Sequence, residues 1–309
     1  MHARPQSLEH ALELLGQDNW TILAGGTDYY PGLRDQAPTD PVIDITSLKA
    51  LDRIAVDADL DNNLRDKNPG IKPEIRPEIN IGALTTWSSL VAADLPQAFD
   101  ALKEAALEVG SVQIQNRATL AGNLCNASPA ADGVPPLLCL DAEVELTSVE
   151  GIRRLPVNEF IQGNRKTARR ENELLTAIVI PAHACRGHSS FIKLGARRYL
   201  VISISMVAVN IELGATGQIE RVAIAVGSCS EVASRLASLE SSLIGMQADD
   251  CCNAAAGGSV ANLIETAVRA ELSPIDDVRA SGQYRYQASS EMVSRALTQA
   301  VMSAQTGQP

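Results

Sequence analysis

The first 50 residues change the spacing of their apolar positions from a helical to a strand-like pattern. SLEHALELLG at 7–16 places its apolar side chains on one helical face, with Ser7 as a predicted N-cap and Gly16 as a predicted stop. The runs WTILA at 20–24 and PVIDI at 41–45 are short, apolar and rich in β-prone residues. This order predicts a small βαβ-type unit with a glycine pair in its first turn.

The pattern then breaks and resumes. Residues 57–78 are charged, contain three prolines and have few apolar residues, which is typical of a solvated loop or hairpin that forms a local insertion. INIG at 79–82 resumes a strand. Residues 85–110 have helical periodicity, with a break near Pro96 and an end at Gly110. We therefore predict a strand followed by two helices.

The next part of the chain is rich in small and polar residues. SVQIQNRATLAGNLCNASPAAD at 111–132 predicts a second loop-rich segment. LLCLDAEVELTSV at 137–149 indicates a helix followed by a strand, and ELLTAIVIP at 173–181 indicates a strand that closes this middle region.

The remaining sequence predicts a sheet followed by helices. After the loop AHACRGH at 182–188, strand-like runs occupy 203–213 and 221–227. Helical periodicity then continues to the end, with Met292, Val293, Ala296, Leu297 and Ala300 on one face. We predict three units: an N-terminal subdomain at 1–55, a central subdomain at 56–182 and a C-terminal domain at 188–309.

Composition narrows the class of protein. With 309 residues, 45% of them hydrophobic, the chain is long enough for two or three compact units. Its formal net charge of -11 argues against a nucleic-acid partner. No apolar run reaches the length of about 18 residues that a membrane span needs, and no signal peptide is evident, so we expect a cytoplasmic protein.

The cysteines and histidines indicate no metal centre in this chain. The six cysteines form no C-x-x-C pair, which argues against a zinc ribbon or an iron–sulfur cluster held by this chain and favours reduced thiols. His183 and His188 are separated by four residues but lack a matching carboxylate or thiolate pattern, which favours a surface loop over a metal site.

Two glycine-containing segments are the candidate ligand-binding elements. AGGT at 24–27 follows a strand, and TLAGN at 119–123 adds a hydroxyl and an amide, with Asp132 after a run of small residues. A lone glycine pair favours a tight turn that needs a positive φ, but two such segments favour bare backbone that approaches a dinucleotide diphosphate. No Rossmann or P-loop motif is present. GNRKT at 163–167 only resembles the tail of a P-loop.

These segments resemble a known family, the FAD-binding medium subunits of the molybdenum hydroxylases related to xanthine dehydrogenase and carbon monoxide dehydrogenase. The resemblance lies in ILAGGTDYYPGL, INIGALTTWSSL and SVQIQNRATLAGNLCNASPAADGVPPLLCLDAEVEL. It continues in FIKLGARRYLVISISMVAVNIEL and SPIDDVRASGQYRYQ, so it covers nearly the whole chain in order.

The resemblance implies an α+β fold: a two-subdomain FAD-binding domain of the PCMH/VAO (vanillyl-alcohol oxidase) type, then a C-terminal antiparallel-sheet-plus-helices domain of the carbon monoxide dehydrogenase flavoprotein C-terminal type. It implies FAD contacts from the first segment around the diphosphate, from the second segment and Asp132 to phosphate, ribityl or ring, and from Leu174 and Lys193 near the cofactor. The implied FAD-binding residues are Ile22, Leu23, Ala24, Gly25, Gly26, Thr27, Asp28, Tyr29, Thr119, Leu120, Ala121, Gly122, Asn123, Asp132, Leu174 and Lys193.

The resemblance also implies partners. A large subunit would carry the molybdopterin cofactor and a small subunit two 2Fe–2S clusters, which would pass electrons to FAD on this chain and then to NAD or another acceptor in a heterotrimer. It implies no catalytic acid or base. A self-contained flavin oxidoreductase on the same fold and an FAD-free assembly scaffold are the alternatives.

The chain departs from the family pattern in two places. QNRAT at 115–119 and AGN at 121–123 stand where the family commonly has RNRGT and GGN, so the second segment differs by two methyl groups and one guanidinium. One relative, of the hydroxybenzoyl-CoA reductase type, carries an extra iron–sulfur cluster in an insertion. The insertion at 57–78 contains no cysteine, and we therefore expect no such cluster.

Overall fold

A computed structural model describes residues 1–34, 36–56, 78–252 and 258–307, with the side chain of residue 252 excepted. The predicted insertion at 57–78 lies outside the described residues, apart from Glu78. Helices and strands are mixed along the chain and form three units in the order of the sequence.

The N-terminal unit is a parallel three-stranded sheet with strand order β1–β3–β2. Ser7 accepts a hydrogen bond from the N–H of His10 and caps the first helix, which ends before Gly16, as predicted. The predicted βαβ-type unit is confirmed. Its elements are β1 (His2–Ala3), α1 (Leu8–Leu15), β2 (Thr21–Leu23), α2 (Tyr29–Leu33) and β3 (Val42–Asp44).

The central unit is an antiparallel five-stranded sheet, order β4–β5–β10–β6–β7, packed with short helices. Its strands are β4 (Ile54–Val56), β5 (Ile79–Gly82), β6 (Glu143–Ser148), β7 (Gly151–Pro156) and β10 (Leu174–Ile180), and a separate hairpin joins β8 (Ile161–Gly163) to β9 (Lys166–Thr167). Its helices are α3 (Trp87–Ala92), α4 (Asp100–Glu108), α5 (Val112–Gln115), α6 (Leu120–Asn126), α7 (Val134–Cys139) and α8 (Val157–Phe160).

The prediction of a loop at 111–132 is wrong for half of its length, because two helices, α5 and α6, lie there. Gly122 and Asn123 have low helix propensity, which is why the sequence indicates a loop. Tertiary hydrogen bonds stabilise both helices: the Gln115 amide donates to the carbonyls of Leu107 and Val109, and Thr119 forms a β-bridge with Thr86. Tertiary contacts therefore override the local preference.

The C-terminal unit is an antiparallel sheet of order β11–β12–β13–β14, followed by helices, as predicted. Its strands are β11 (His188–Leu194), β12 (Ser205–Leu213), β13 (Ile219–Gly227) and β14 (Ser234–Arg235). Its helices are α9 (Ala237–Leu243), α10 (Ala248–Cys252), α11 (Ser259–Glu271) and α12 (Gly282–Thr306).

The two faces of this sheet belong to different cores. In β12, Val207, Val209 and Ile211 pack against the C-terminal helices, whereas Met206 and Ala208 join the core of the central unit. This alternation follows the period of two in a strand. The sheet is therefore buried on both sides and closes the boundary between the central and C-terminal units.

Candidate functional site

A cleft of about 680 Å³ lies between the N-terminal and central units. Its N-terminal wall consists of residues 19–29 and Ile45. Within the described chain, no residue beyond 175 lines it. The central residues that line it are Ala83, Trp87, Val109, Ile114, Ala118, Thr119, Ala121, Gly122, Asn123, Cys125, Asn126, Arg165, Thr167, Arg169, Leu174 and Leu175.

The glycine pair lies where the N-terminal wall touches the central wall. A methyl group on Gly25 would overlap the carbonyl oxygen of Arg117, so the two chain segments pack backbone to backbone. Gly26 has φ 74°, a conformation that favours glycine. The glycine pair therefore has a structural role, because glycine permits this close approach and this turn.

The same turn leaves hydrogen-bond donors at the cleft. Within the described residues, the backbone N–H groups of Gly25, Gly26 and Thr27 donate no hydrogen bond to the protein. Buried or enclosed N–H groups normally have partners. Successive N–H groups of this kind are suited to an anionic ligand such as a diphosphate.

The second predicted segment forms the N-terminal turn of α6. Thr119 is the N-cap and its hydroxyl accepts a hydrogen bond from the Gly122 N–H at 3.0 Å. The Asn123 side-chain oxygen accepts from the Gly133 N–H at 3.3 Å. Both polar side chains therefore also hold the central wall together. Leu120 is fully buried and is absent from the cleft lining, unlike the other four residues of 119–123.

Apolar side chains complete the cleft. Trp87 at the start of α3 is 1% exposed, and Leu174 at the start of β10 is 2% exposed. Both line the cleft, as do the partly buried Val109 and Ile114. A cleft that combines bare backbone donors with an apolar, aromatic surface suits a ligand with an anionic part and a ring system.

Two cations lie in the central wall, and sequence reasoning assigned no role to either. The Arg165 guanidinium contacts the carboxylate of Asp28 at 3.1 Å and the side-chain oxygen of Asn126 at 2.7 Å. Arg169 donates to the carbonyls of Arg170, Glu171 and Glu173. The one sequence signal was GNRKT at 163–167, which resembles the tail of a P-loop.

Asp132 and Lys193 do not line the cleft. Instead they contact each other at 2.7 Å between the central and C-terminal units, with side chains only 10% and 5% exposed. The Ser203 hydroxyl donates to the other carboxylate oxygen at 2.7 Å. Burial raises the pKa of Asp132, and Lys193 and Ser203 oppose that rise. Their predicted contact with FAD stays a prediction.

The two histidines of the predicted 182–188 loop have different partners, and His188 is the first residue of β11. His183 contacts Asp141 at 3.1 Å, and His188 contacts the hydroxyl of Ser303 at 3.4 Å. Among the residues that the structure describes, no group of three His, Cys, Asp or Glu side chains is placed to hold a metal ion. No helix in the same part of the chain is both long and apolar enough to span a membrane.

Comparison with known proteins identifies both halves of the chain. Residues 70–183 match the family described as the FAD binding domain in molybdopterin dehydrogenase. Residues 190–300 match the CO dehydrogenase flavoprotein C-terminal domain. The chain belongs to the FAD-binding medium subunits of the molybdenum hydroxylases. The resemblance seen in the sequence is thereby confirmed.

Named relatives agree with this assignment. The nicotinate dehydrogenase FAD-subunit of Eubacterium barkeri is 35% identical over 208 residues, which are 65% of this chain and 64% of the relative. The glyceraldehyde dehydrogenase medium chain of Sulfolobus acidocaldarius is 27% identical, with 92% of each chain covered. These relatives are dehydrogenase subunits, and the chain is an oxidoreductase subunit.

A solved structure shows the same fold. It is carbon monoxide dehydrogenase from Hydrogenophaga pseudoflava, in a form that lacks the Mo-pyranopterin moiety of the molybdenum cofactor. The two chains superpose with a TM-score of 0.80 at 25% identity, over 98% of this medium subunit and 97% of the other chain. The predicted α+β fold class, with its flavin-domain and C-terminal parts, is confirmed.

Proposed function

We propose that this chain is the FAD-carrying electron-transfer subunit of a molybdenum hydroxylase complex. It would accept electrons from 2Fe–2S clusters of a small partner subunit and pass them to NAD or another acceptor. The observation that carries the proposal is the cleft, in which both glycine-containing segments meet, in a chain whose central part matches an FAD-binding domain.

The cleft residues fit the parts of FAD. Gly25, Gly26 and Thr27 line the cleft, and their N–H groups, which donate to no acceptor among the described residues, would hold the diphosphate. Thr119 and Asn123 offer polar atoms on the opposite wall. The partly buried Val109 and Ile114 offer apolar surface to a ring system. Bound FAD supplies the electron-transfer chemistry, so the protein's part is to bind and orient it. We assign no catalytic acid or base to this chain.

The partners follow from the family. The relatives include a subunit of a 6-hydroxypseudooxynicotine dehydrogenase complex and a nicotine 6-hydroxylase medium subunit, both from Paenarthrobacter nicotinovorans. By analogy, we propose a large molybdopterin subunit and a small 2Fe–2S subunit as partners of this chain. The substrate would then bind to the large subunit, because the family resemblance places substrate oxidation at the molybdopterin cofactor of that subunit.

Reconstitution and reduction test this function. The purified chain should bind FAD with micromolar or tighter affinity and show the yellow colour of oxidised flavin. A dithionite titration of the isolated chain should reduce the flavin and no other redox centre. Dehydrogenase substrates should reduce the flavin only when the partner chains are present. A colourless chain that fails to bind FAD would indicate a scaffold. Reduction of the isolated chain by a substrate would indicate a self-contained oxidoreductase.

A further inference from the structure

The β8–β9 hairpin places a cation at the mouth of the cleft. Arg165 lies in the turn of this hairpin with φ 55°, and its N–H donates to the carbonyl of Ala127 at 2.8 Å. That hydrogen bond attaches the turn to the end of α6, which is part of the central wall. The hairpin backbone therefore fixes the start of the Arg165 side chain beside the cleft, while its exposed guanidinium can change partners.

Arg165 connects the two walls of the cleft. Its guanidinium contacts Asp28, which is 137 positions away in the N-terminal unit, and Asn126 of the central unit. The side chains of Arg165 and Asp28 are 62% and 59% exposed. An ion pair this exposed contributes little to stability and exchanges partners readily, because water screens it. Within the described residues, Nε and Nη2 of Arg165 make no hydrogen bond to the protein.

Negative charge near the proposed diphosphate opposes the binding of a dinucleotide, and a cation in the cleft would offset it. Asp28 carries a negative charge in the segment that faces the proposed diphosphate, and the whole chain has a formal net charge of -11. Among the described lining residues, Arg165 and Arg169 are the cations. Arg169 is held through Nη1 by backbone carbonyls of the adjacent residues 170–173. The partners of Arg165 are the side chains of Asp28 and Asn126, and its ion pair with Asp28 is exposed, so Arg165 is the cation that can turn to a new anion.

We propose that Arg165 is the cation of the diphosphate subsite and that Asp28 is the internal anion that the diphosphate replaces. This inference rests on the proposed function, because it assumes that FAD binds in the cleft. Arginine suits the role because its planar donors match phosphate oxygens in a bidentate geometry. Arg165 then favours a flavin that carries a diphosphate over riboflavin, which has none.

The first test is Arg165→Ala in the full chain, with FAD affinity measured by quenching of flavin fluorescence. A charge-assisted hydrogen bond contributes enough that its loss should weaken FAD binding roughly 10- to 100-fold. The difference from wild type should shrink as salt is raised, because the interaction is coulombic. Riboflavin affinity should stay the same. Far-UV circular dichroism and the thermal midpoint would verify that the variant is folded.

Lys166→Ala is the matched control. Lys166 is the next residue in the hairpin and carries the same charge, but it is exposed and does not line the cleft. It should leave FAD affinity within about twofold of wild type, because an exposed charge outside the site is screened. Equal weakening by both variants, or a loss in Arg165→Ala that does not depend on salt, would overturn the proposal.

Asp28→Asn tests the exchange. Removing the competing carboxylate should free Arg165 and tighten FAD binding by a few fold. Weakening by Asp28→Asn would show instead that the ion pair itself shapes the site, and would overturn the exchange. If the wild-type chain does not bind FAD, the proposed function fails. If wild type binds and Arg165→Ala binds equally well, only this inference fails.

Discussion

The central unit meets its two neighbours in opposite ways. Toward the N-terminal unit it leaves an open cleft, spanned by the exposed ion pair of Arg165 and Asp28. Toward the C-terminal unit it shares a closed apolar core and encloses the ion pair of Lys193 and Asp132. An ion pair of an aspartate with a basic side chain therefore serves a different purpose at each boundary. An exposed pair can change partners, whereas a buried pair fixes two units together because either charge alone is costly to bury.

Breaking the closed boundary should have the largest effect. Asp132→Ala leaves the Lys193 ammonium buried, and its remaining partner among the described residues is the Glu108 carbonyl at 3.3 Å. Removing one partner of a buried ion pair costs about 3–5 kcal/mol of unfolding free energy. Urea denaturation at neutral pH would measure the loss.

The double variant Asp132→Leu with Lys193→Met is the control for this prediction. It removes both charges and should recover most of the lost stability, because apolar residues of similar volume replace a buried ion pair well. Equal instability of the single and double variants would show that packing at this boundary, and not the uncompensated charge, causes the loss.

An ion pair of intermediate burial should give an intermediate effect. Asp277 contacts Arg285 at 2.8 Å, with side chains 25% and 3% exposed. Asp277→Ala should cost about 2 kcal/mol, less than a fully buried pair, because the carboxylate is partly solvated. Arg279→Ala, which removes the exposed partner of the same carboxylate, should cost about 0.5 kcal/mol or less.

The stability that Asp277 contributes should depend on pH. Burial tends to raise its pKa, but hydrogen bonds from the N–H groups of Arg279 and Ala280 and from the two guanidinium groups outweigh burial and lower the pKa below its ordinary value of 3.8. A lowered pKa stabilises the fold above the ordinary value, and this stability is lost as pH falls. The difference between wild type and Asp277→Ala should therefore narrow below about pH 4. A constant difference would contradict this.

The open cleft should be sensitive to a methyl group at Gly25. In Gly25→Ala the new methyl overlaps the Arg117 carbonyl, so the two walls must move apart. Overpacking costs about 1–3 kcal/mol, which corresponds to roughly 10- to 100-fold in FAD affinity if the strain falls on the bound state. Gly32→Ala is the control, because nothing lies within 4 Å of a methyl group there. Fluorescence titration of both variants would test the prediction.

The smallest effect should come from Arg165→Ala in the absence of FAD. An exposed ion pair contributes about 0.5 kcal/mol or less to stability. Urea denaturation should therefore barely distinguish this variant from wild type, whereas the buried pairs give large differences. A loss above about 2 kcal/mol would show that this ion pair holds the two units together, like the one between Asp132 and Lys193.

Much of the fold was predictable because it is local. Periodicity and capping predict the helix from Leu8 to Leu15 and the C-terminal sheet followed by helices. They also predict the strand before the glycine pair and the strand in ELLTAIVIP. The helices at 112–115 and 120–126 did not, since both depend on partners outside the helix: Gln115 bonds to Leu107, and Thr119, the N-cap of the second helix, pairs with Thr86. Gly122 and Asn123 have weak helix propensity.

The candidate site was predictable only in part. Bare backbone at 24–27 and small residues at 119–123 are visible in the sequence, and the structure brings them to one cleft. Trp87 was predicted only as part of a helix, and Arg165 was noted only in GNRKT, which resembles the tail of a P-loop. Neither has a sequence spacing that relates it to the glycine pair, so their place in the cleft depends on how the units pack.

Outside 111–132, the sequence by itself determined the order of the helices and strands that show periodicity, and it determined the family and the two glycine-containing segments, because periodicity, caps and motifs depend on neighbours in the chain. The tertiary structure decided which charges meet. Asp28 and Arg165 are 137 positions apart, and Asp132 and Lys193 are 61 positions apart. Whether such a pair is solvated or enclosed depends on the packing of whole units, and that burial sets its energy.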